Sequence, residues 1–271
     1  MSDGTAGAIK LVVSDVDGTL VDKRKQLAPS TLEAVARLTA AGVAFTIISA
    51  RPRSGMMPIA ETLAIDAPMG AFNGGTVFRR DGSILCQHRV DRDVVEQIMA
   101  LAEGVAVDVW LFADDLWYAS TDQGAHVGSE RLASNQAPVI TTDFTPLYDR
   151  ADKITFVSDD AALLIDLAQR AAPLSSRATI MQSQAYYLDI TAPAANKGDG
   201  ITALADAMGV SLSAIAAIGD QANDVPMFAR AGLSIAMGQG PAAVREQADL
   251  VTGGNDADGV AQAIDGMILA R

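Results

Sequence analysis

The sequence predicts an α/β fold: a mostly parallel sheet with helices on both faces, interrupted by an α+β insert. Three observations lead there. Apolar runs rich in β-branched residues alternate with amphipathic stretches at both ends of the chain, the rhythm of strand–helix–strand units. Carboxylates, hydroxyls and a lysine recur where those runs give way to turns. The middle of the chain has a mixed texture and holds both tryptophans and all four tyrosines.

The elements follow in order. Residues 9–13 (Ile-Lys-Leu-Val-Val) read as a buried strand that ends at a Gly turn. A helix is expected over 29–41: Pro29 suits its first turn, Leu32, Val35 and Leu38 form an apolar stripe, and Gly42 stops it. Residues 43–48 form a second strand ending at Ser49-Ala50-Arg51-Pro52, and Met69-Gly70-Ala71-Phe72 leads into the turn Asn73-Gly74-Gly75. In the insert, strands are expected over 105–112, 116–120, 153–158, 178–182 and 186–190, and helices over 92–102 and 161–171. The alternation then resumes: helix 197–208 closed by Gly209, strand 213–218 ending in Gly219-Asp220, helix 223–231 stopped by Gly232, strand 233–237, helix 241–247 and helix 259–269. The expected division is a core of 1–83 and 190–271 with an insert of 84–189 that has its own core. Trp110, Trp117, Tyr186 and Tyr187 are expected in that second core.

Composition narrows the function. With 271 residues, 49% of them hydrophobic, the chain can bury a core of one large or two moderate domains. A net charge of −13 disfavours nucleic acid and anionic membrane as partners. An anionic small molecule would need a local positive field. Cys86 is the only cysteine, which rules out an internal disulfide and reads as a small packing residue. His88 and His126 are the only histidines, so acid–base chemistry falls to carboxylates. The start, Met1-Ser2-Asp3-Gly4-Thr5, lacks the basic and apolar regions of a signal peptide. No run of 18 apolar residues occurs. A cytoplasmic location is the expectation, and no motif specifies an oligomer.

The chemistry concentrates in four places. Asp15-Val16-Asp17-Gly18-Thr19-Leu20 puts two carboxylates at the end of the first strand, where open α/β sheets bind ligands. Strand alternation would turn both toward one pocket, and two anions that close need a cation or a shared proton. Ser49 ends the second strand and is followed by Arg51; Lys197 starts a helix after a polar turn; Gly219-Asp220-Gln221-Ala222-Asn223-Asp224 follows another strand. Together they suit phosphoryl transfer. One carboxylate can attack phosphorus, and a second can protonate the leaving oxygen and then activate water. Lys197 and Ser49 can stabilise the transferring group, and Asp15 and Asp220 offer hard oxygen ligands suited to Mg²⁺.

These motifs resemble the haloacid dehalogenase superfamily, and within it the Cof-type sugar-phosphatase-like branch with a large C2-type cap. The segments that carry the resemblance are Asp15-Val16-Asp17-Gly18-Thr19-Leu20, Ser49-Ala50-Arg51, Asn196-Lys197-Gly198 and the run from Gly219 through Asp220, Asn223 and Asp224 to Phe228. Asn73-Gly74-Gly75 and Asp258-Gly259-Val260 match further elements of the branch. The branch usually has Thr-Gly-Arg where this chain has Ser49-Ala50-Arg51; the hydroxyl survives, and Ala50 has less backbone freedom than Gly.

The resemblance implies a Rossmann-like core and a cap that closes over the cleft, excludes water and chooses the leaving group. It implies Asp15 as nucleophile and Asp17 as general acid/base that also offers its backbone carbonyl to Mg²⁺. Ser49 and Lys197 would hold the phosphoryl group, with Asn73, Gly74, Arg51 and Asn223 as further phosphate contacts. Asp220 would ligate Mg²⁺, and Asp224 would support the metal and Lys197. The implied activity is Mg²⁺-dependent hydrolysis of small phosphate monoesters, sugar phosphates or phosphorylated cofactors.

Other readings of the same residues stay open. A phosphomutase would use the same aspartyl phosphate, and a silent homologue would only bind phosphate ligands. A receiver-type signalling domain would be far shorter. A calcium loop starting at Asp15 would need Glu at its twelfth position, where Gln26 stands. The Asn223-Asp224 pair also has a helix-capping reading compatible with metal support.

Overall fold

The first part of the chain forms β1 (Leu11–Ser14), α1 (Pro29–Ala40), β2 (Ala44–Ile47) and α2 (Arg53–Thr62), then the three strands β3 (Met69–Ala71), β4 (Thr76–Phe78) and β5 (Ile84–Gln87). The middle forms α3 (Arg92–Ala102), β6 (Asp108–Ala113), β7 (Leu116–Ala119), α4 (Val127–Ser134), β8 (Val139–Ile140), β9 (Ala151–Val157), α5 (Ala161–Ala171), β10 (Thr179–Gln184) and β11 (Tyr187–Thr191). The last part forms α6 (Lys197–Met208), β12 (Ile215–Gly219), α7 (Val225–Phe228), β13 (Leu233–Ala236), α8 (Ala242–Arg245), β14 (Leu250–Val251) and α9 (Gly259–Gln262). This is a computed structural model that describes residues 8–270. The Met1–Thr5 stretch read above for a leader lies outside the described residues. Two compact units result: the chain up to Ala50 with Met56–Cys86 and the part from Asn196 onward, and Arg51–Gly55 with Gln87–Ala195.

The first unit is built on a parallel sheet in the order β14-β13-β12-β1-β2. β1 lies inside the sheet, between β12 and β2, and Leu11, Val12 and Val13 are all fully buried. Leu11 and Val13 pack with Ile201 and Leu204 of α6 and Phe228 of α7. Val12, alternating with them, belongs to the opposite face. Burial of both alternating sets requires helices on both faces. On its buried face α1 presents Ala34, Val35 and Leu38, and its Arg37 pairs with Asp265 near the C-terminus at 2.7 Å. The mixed α/β architecture with a helix-covered parallel sheet is the one the sequence predicts.

The second unit is a six-stranded sheet in the order β10-β11-β9-β6-β7-β8. Its pairs are antiparallel except β7 with β8. Val109 and Leu111 of β6, Ile154 and Phe156 of β9 and Leu188 and Ile190 of β11 pack with Val94 and Ile98 of α3 and Leu164 and Leu167 of α5. The alternating positions are Trp110, Phe112, Lys153, Thr155 and Asp189. There Thr155 donates to Asp189 at 2.6 Å, and Lys153 Nζ sits 4.7 Å from the Phe112 ring centre. Both tryptophans are buried and pack edge to face at 5.0 Å.

Element boundaries differ from the periodicity in physically readable ways. The helix expected over 223–231 is a 3₁₀ turn, Ala222–Asp224, followed by the short α7, because Asp224 turns back to accept from the Asp220 and Gln221 amides. The helix expected over 259–269 widens after α9 into a π-turn, Ala263–Ile268. Helices α2 and α4 have no counterpart in the sequence reading. Pro58 and Gly55 inside α2 and the polar run of α4 mask a helical period that tertiary packing enforces.

Asp152, at the start of β9, is 2% exposed. Gln87 Nε2 donates to it at 2.8 Å, and Arg89 Nε lies 3.7 Å away. Burial nevertheless pushes its carboxyl up to about 6, above the unfolded value of about 4. Between those two values the native state keeps a proton that the unfolded state has lost, so stability falls as pH rises through that window. The shift corresponds to a loss of about 2–3 kcal/mol. Urea unfolding from pH 4 to 7 should show a smaller decline for Asp152→Asn than for wild type. Parallel curves would remove Asp152 as the titrating group.

Candidate active site

The site grows from the end of β1. The Asp15 amide continues the β1 ladder by donating to the Ile218 carbonyl at 2.9 Å. The chain then wraps, with the Thr19, Leu20 and Val21 amides all directed at the Val16 carbonyl. That turn holds Asp15 at 5% exposure on the sheet's C-terminal edge, the ligand edge of an open parallel sheet. Gly18 is required in the turn. Its φ is +86°, and a Cβ there would lie 2.5 Å from Asp220 Oδ2.

Two neighbouring elements bring the remaining charges. Asn196 caps α6, its side chain accepting from the Asp199 amide at 2.9 Å. The cap places Lys197 in the first turn with its side chain fully buried. Its ammonium donates to Asp15 Oδ1 and, at 2.5 Å, to Asp224 Oδ1. The second Asp224 oxygen accepts from the Asp220 and Gln221 amides at 2.8 Å each. Asp224 therefore shapes the loop after β12 and grips Lys197 at once, so the capping and support readings coexist. Asp220 accepts from Thr19 Oγ1 at 3.2 Å and from Gln221 Nε2 at 2.9 Å.

Carboxylate oxygens of Asp15, Asp220 and Asp224 lie within 4.8 Å of one another, all three residues buried. Three carboxylates against one ammonium leave an excess of negative charge. Burial pushes the Asp15 carboxyl up to about 8; the Lys197 charge opposes this, and Asp224 and Asp220 add to it. Asp220 is also raised, first by burial and then by Asp224. Burial alone would depress Lys197, but the Asp15 and Asp224 charges outweigh it and hold the ammonium above its usual range. An all-oxygen donor set with unmatched negative charge fits a small divalent cation.

The other predicted residues separate into those near this group and those elsewhere. Ser49 is 1% exposed; its amide donates to the Gly70 carbonyl at 2.9 Å, and its own carbonyl accepts the Asn73 amide at 2.7 Å. Asn73 adopts a left-handed φ of +59° that Asn tolerates, followed by Gly74 at +93°. The Asn73 side-chain oxygen accepts from Asn223 Nδ2 at 3.3 Å. The second motif, the Asn-Gly turn and the loop after β12 are thus linked by hydrogen bonds.

Arg51 falls in the second unit, where its guanidinium donates to the Gly55 carbonyl at 3.1 Å. Asp17 does not join the Asp15–Asp220–Asp224 group through its carboxylate. β1 ends at Ser14, so strand alternation does not extend to residue 17, and the Asp17 side chain meets Lys25 Nζ at 2.5 Å. Lys25 and Thr19 were not singled out from the sequence. Thr19 lies inside the first motif and has a signal there; Lys25 sits in a polar loop run with none.

The chain matches the model of the haloacid dehalogenase-like hydrolases over residues 12–264. It is 27% identical over 266 residues to pyridoxal phosphate phosphatase YbhA of Escherichia coli K12, covering 94% of this chain and 97% of that one. It is 28% identical over 229 residues to HMP-PP phosphatase of Escherichia fergusonii, covering 84% of each. The fold superposes on a haloacid dehalogenase-like hydrolase from Bacteroides thetaiotaomicron with a TM-score of 0.86 and 26% identity, over 95% of this chain and 98% of that one. With the family model spanning nearly the whole chain, including every core residue of the buried charge cluster, this protein belongs to the haloacid dehalogenase-like hydrolase family.

Proposed function

We propose that the chain is a Mg²⁺-dependent phosphatase of small phosphate monoesters that works through an aspartyl phosphate, an acyl phosphate on Asp15. The observation that carries this reading is the buried group of Asp15, Asp220 and Asp224 around the Lys197 ammonium. A carboxylate held at a strand end beside a fixed cation is placed to attack phosphorus. The names of the relatives add that family members of this length act on pyridoxal phosphate and HMP-PP. Sugar phosphates and phosphorylated cofactors are the substrate classes we propose here.

The residues divide the work. An Asp15 carboxylate oxygen attacks phosphorus as the bond from phosphorus to the ester oxygen breaks. Protonated Asp17 gives its proton to that oxygen, and the alcohol leaves. Water then attacks the phosphorus of the aspartyl phosphate while Asp17 takes back a proton. Phosphate departs and the Asp15 carboxylate is restored. Lys197 and the Ser49 hydroxyl hold phosphoryl oxygens throughout, with Asn73, Gly74 and Asn223 as further contacts. Asp15, Asp220 and Asp224, with the Asp17 backbone carbonyl, would hold Mg²⁺. Bound there, the ion would neutralise charge on the phosphoryl group and the carboxylates. The core of 1–83 and 190–271 carries this chemistry, and the 84–189 insert selects the leaving group.

Phosphate release from a panel of sugar phosphates, pyridoxal phosphate and related monoesters tests the reading. Asp15→Asn should lower turnover by roughly a thousandfold or more. The metal-free Asp15→Asn protein should melt close to the wild-type temperature, because burial already raises the Asp15 carboxyl to about 8 and Asn keeps a side-chain oxygen for Lys197, which retains Asp224. Turnover surviving in that variant would remove Asp15 as nucleophile.

Chelation should stop release, and added Mg²⁺ should restore it. Turnover indifferent to chelator would overturn the metal assignment. Phosphoryl transfer within a substrate, with no phosphate released, would replace the phosphatase by a mutase.

A further inference from the structure

The hairpin after Asp17 carries a lysine in a conformation that lysine does not favour. Val21 pairs antiparallel with Leu27, and between them the Asp22 amide donates to the Gln26 carbonyl at 3.0 Å. The Asp22 side chain accepts from the Arg24 and Gln26 amides at 2.8 and 2.9 Å. Within this tight turn Lys25 sits at φ +62°, a left-handed position that suits Gly or Asn and strains a long L side chain. The base of the hairpin is pinned: Asp17 bridges Val21, Asn255 Nδ2 donates to the Val21 carbonyl at 3.0 Å, and Gln239 Nε2 donates to the Gly18 carbonyl at 2.6 Å. The turn is therefore presented in a fixed place.

What the strained residue does there is reach Asp17. The Nζ to Oδ1 distance is 2.5 Å, with the two side chains 38% and 33% exposed. Stability does not account for this arrangement. An ion pair this exposed is worth little, and the left-handed backbone costs about as much as the pair returns. Strain held at a loop tip beside a reactive group points to function. Of the hairpin's other cations, Lys23 is exposed and Arg24 turns to Asp22 at 3.6 Å, whereas Lys25 is directed at Asp17.

We propose that Lys25 is a positioning residue that clamps the Asp17 carboxylate in the orientation needed for proton transfer to the leaving oxygen. The inference rests on the reading of Asp17 as general acid/base. A short side chain on a half-exposed turn has several rotamers, and holding one oxygen on a fixed ammonium selects one of them. The gain is orientation.

The test compares wild type with Lys25→Met, Lys25→Gly, Lys25→Arg and Asp17→Asn in the full chain with Mg²⁺. Two esters are needed. One is an alkyl phosphate whose leaving oxygen requires a proton: whichever of glucose 6-phosphate, ribose 5-phosphate and pyridoxal phosphate is turned over fastest. The other is 4-nitrophenyl phosphate, whose leaving group departs without one. Lys25→Met and Lys25→Gly should lower kcat on the alkyl ester by about 10- to 100-fold and on 4-nitrophenyl phosphate by less than about 3-fold, with KM nearly unchanged. Lys25→Gly should melt no lower than wild type while losing activity, and Lys25→Arg should recover most of kcat.

Equal losses on both esters, a loss confined to KM, or full activity in Lys25→Gly would each overturn the clamp. If Asp17→Asn lacks the leaving-group pattern, the acid/base reading itself falls and the clamp with it. If Asp17→Asn shows the pattern and the Lys25 variants do not, the clamp alone fails.

Discussion

A single buried ammonium organises this molecule's chemistry. Lys197 has no exposed side-chain surface and donates to Asp15 and Asp224, so three segments far apart in sequence must converge on one point. β1 delivers Asp15, the loop after β12 delivers Asp224, and the Asn196 cap fixes the first turn of α6. Removing the Lys197 ammonium would cost about 3–5 kcal/mol, because the buried carboxylates it pairs would be left without a counter-charge or solvent. The neighbouring packing reflects that constraint. A Cβ on Gly219 would lie 2.4 Å from Asp224 Cγ, so the loop tolerates no side chain where it closes on the carboxylate.

The cluster is also unbalanced, and the imbalance links fold to function. Lys197 offsets only part of the charge on Asp15, Asp220 and Asp224, and burial raises the Asp15 carboxyl to about 8. A site chosen for stability alone would carry apolar residues or matched charges. Holding Asp15 ready as an anion calls for a further positive charge, which a divalent cation would supply. The sheet provides the setting: Asp15 and Asp220 leave the C-terminal ends of adjacent parallel strands, β1 and β12, so the backbone itself brings their side chains together.

Much of this was legible in the residues. Asp15, Lys197, Asp220 and Asp224 stand in motifs whose spacing follows strand–turn–helix units, and α6 spans the helix read from its apolar pattern, with Gly209 at φ +62° closing it. Helices α3 and α5 were equally plain, since their apolar stripes are long and uninterrupted. Short-range periodicity failed where local chemistry overrode it. Asp224 folds its own loop into a 3₁₀ turn, and Pro58 disguises α2. The orientation of Asp17 was out of reach for a related reason: the pleat that would have aimed it beside Asp15 ends at Ser14, and a hairpin lysine eight residues on takes its carboxylate. Contacts of that kind depend on backbone geometry, such as the left-handed φ of Lys25, which no residue type announces.

The account turns on Asp15 carrying the phosphoryl group. The most direct measurement is acid quenching of the Mg²⁺-loaded enzyme during turnover of its fastest ester, followed by peptide mass mapping. The account predicts a phosphoryl adduct on the peptide containing Asp15, located at that residue and absent from Asp15→Asn. An adduct on another residue, or rapid phosphate release from wild type with no adduct at any quench time, would contradict it.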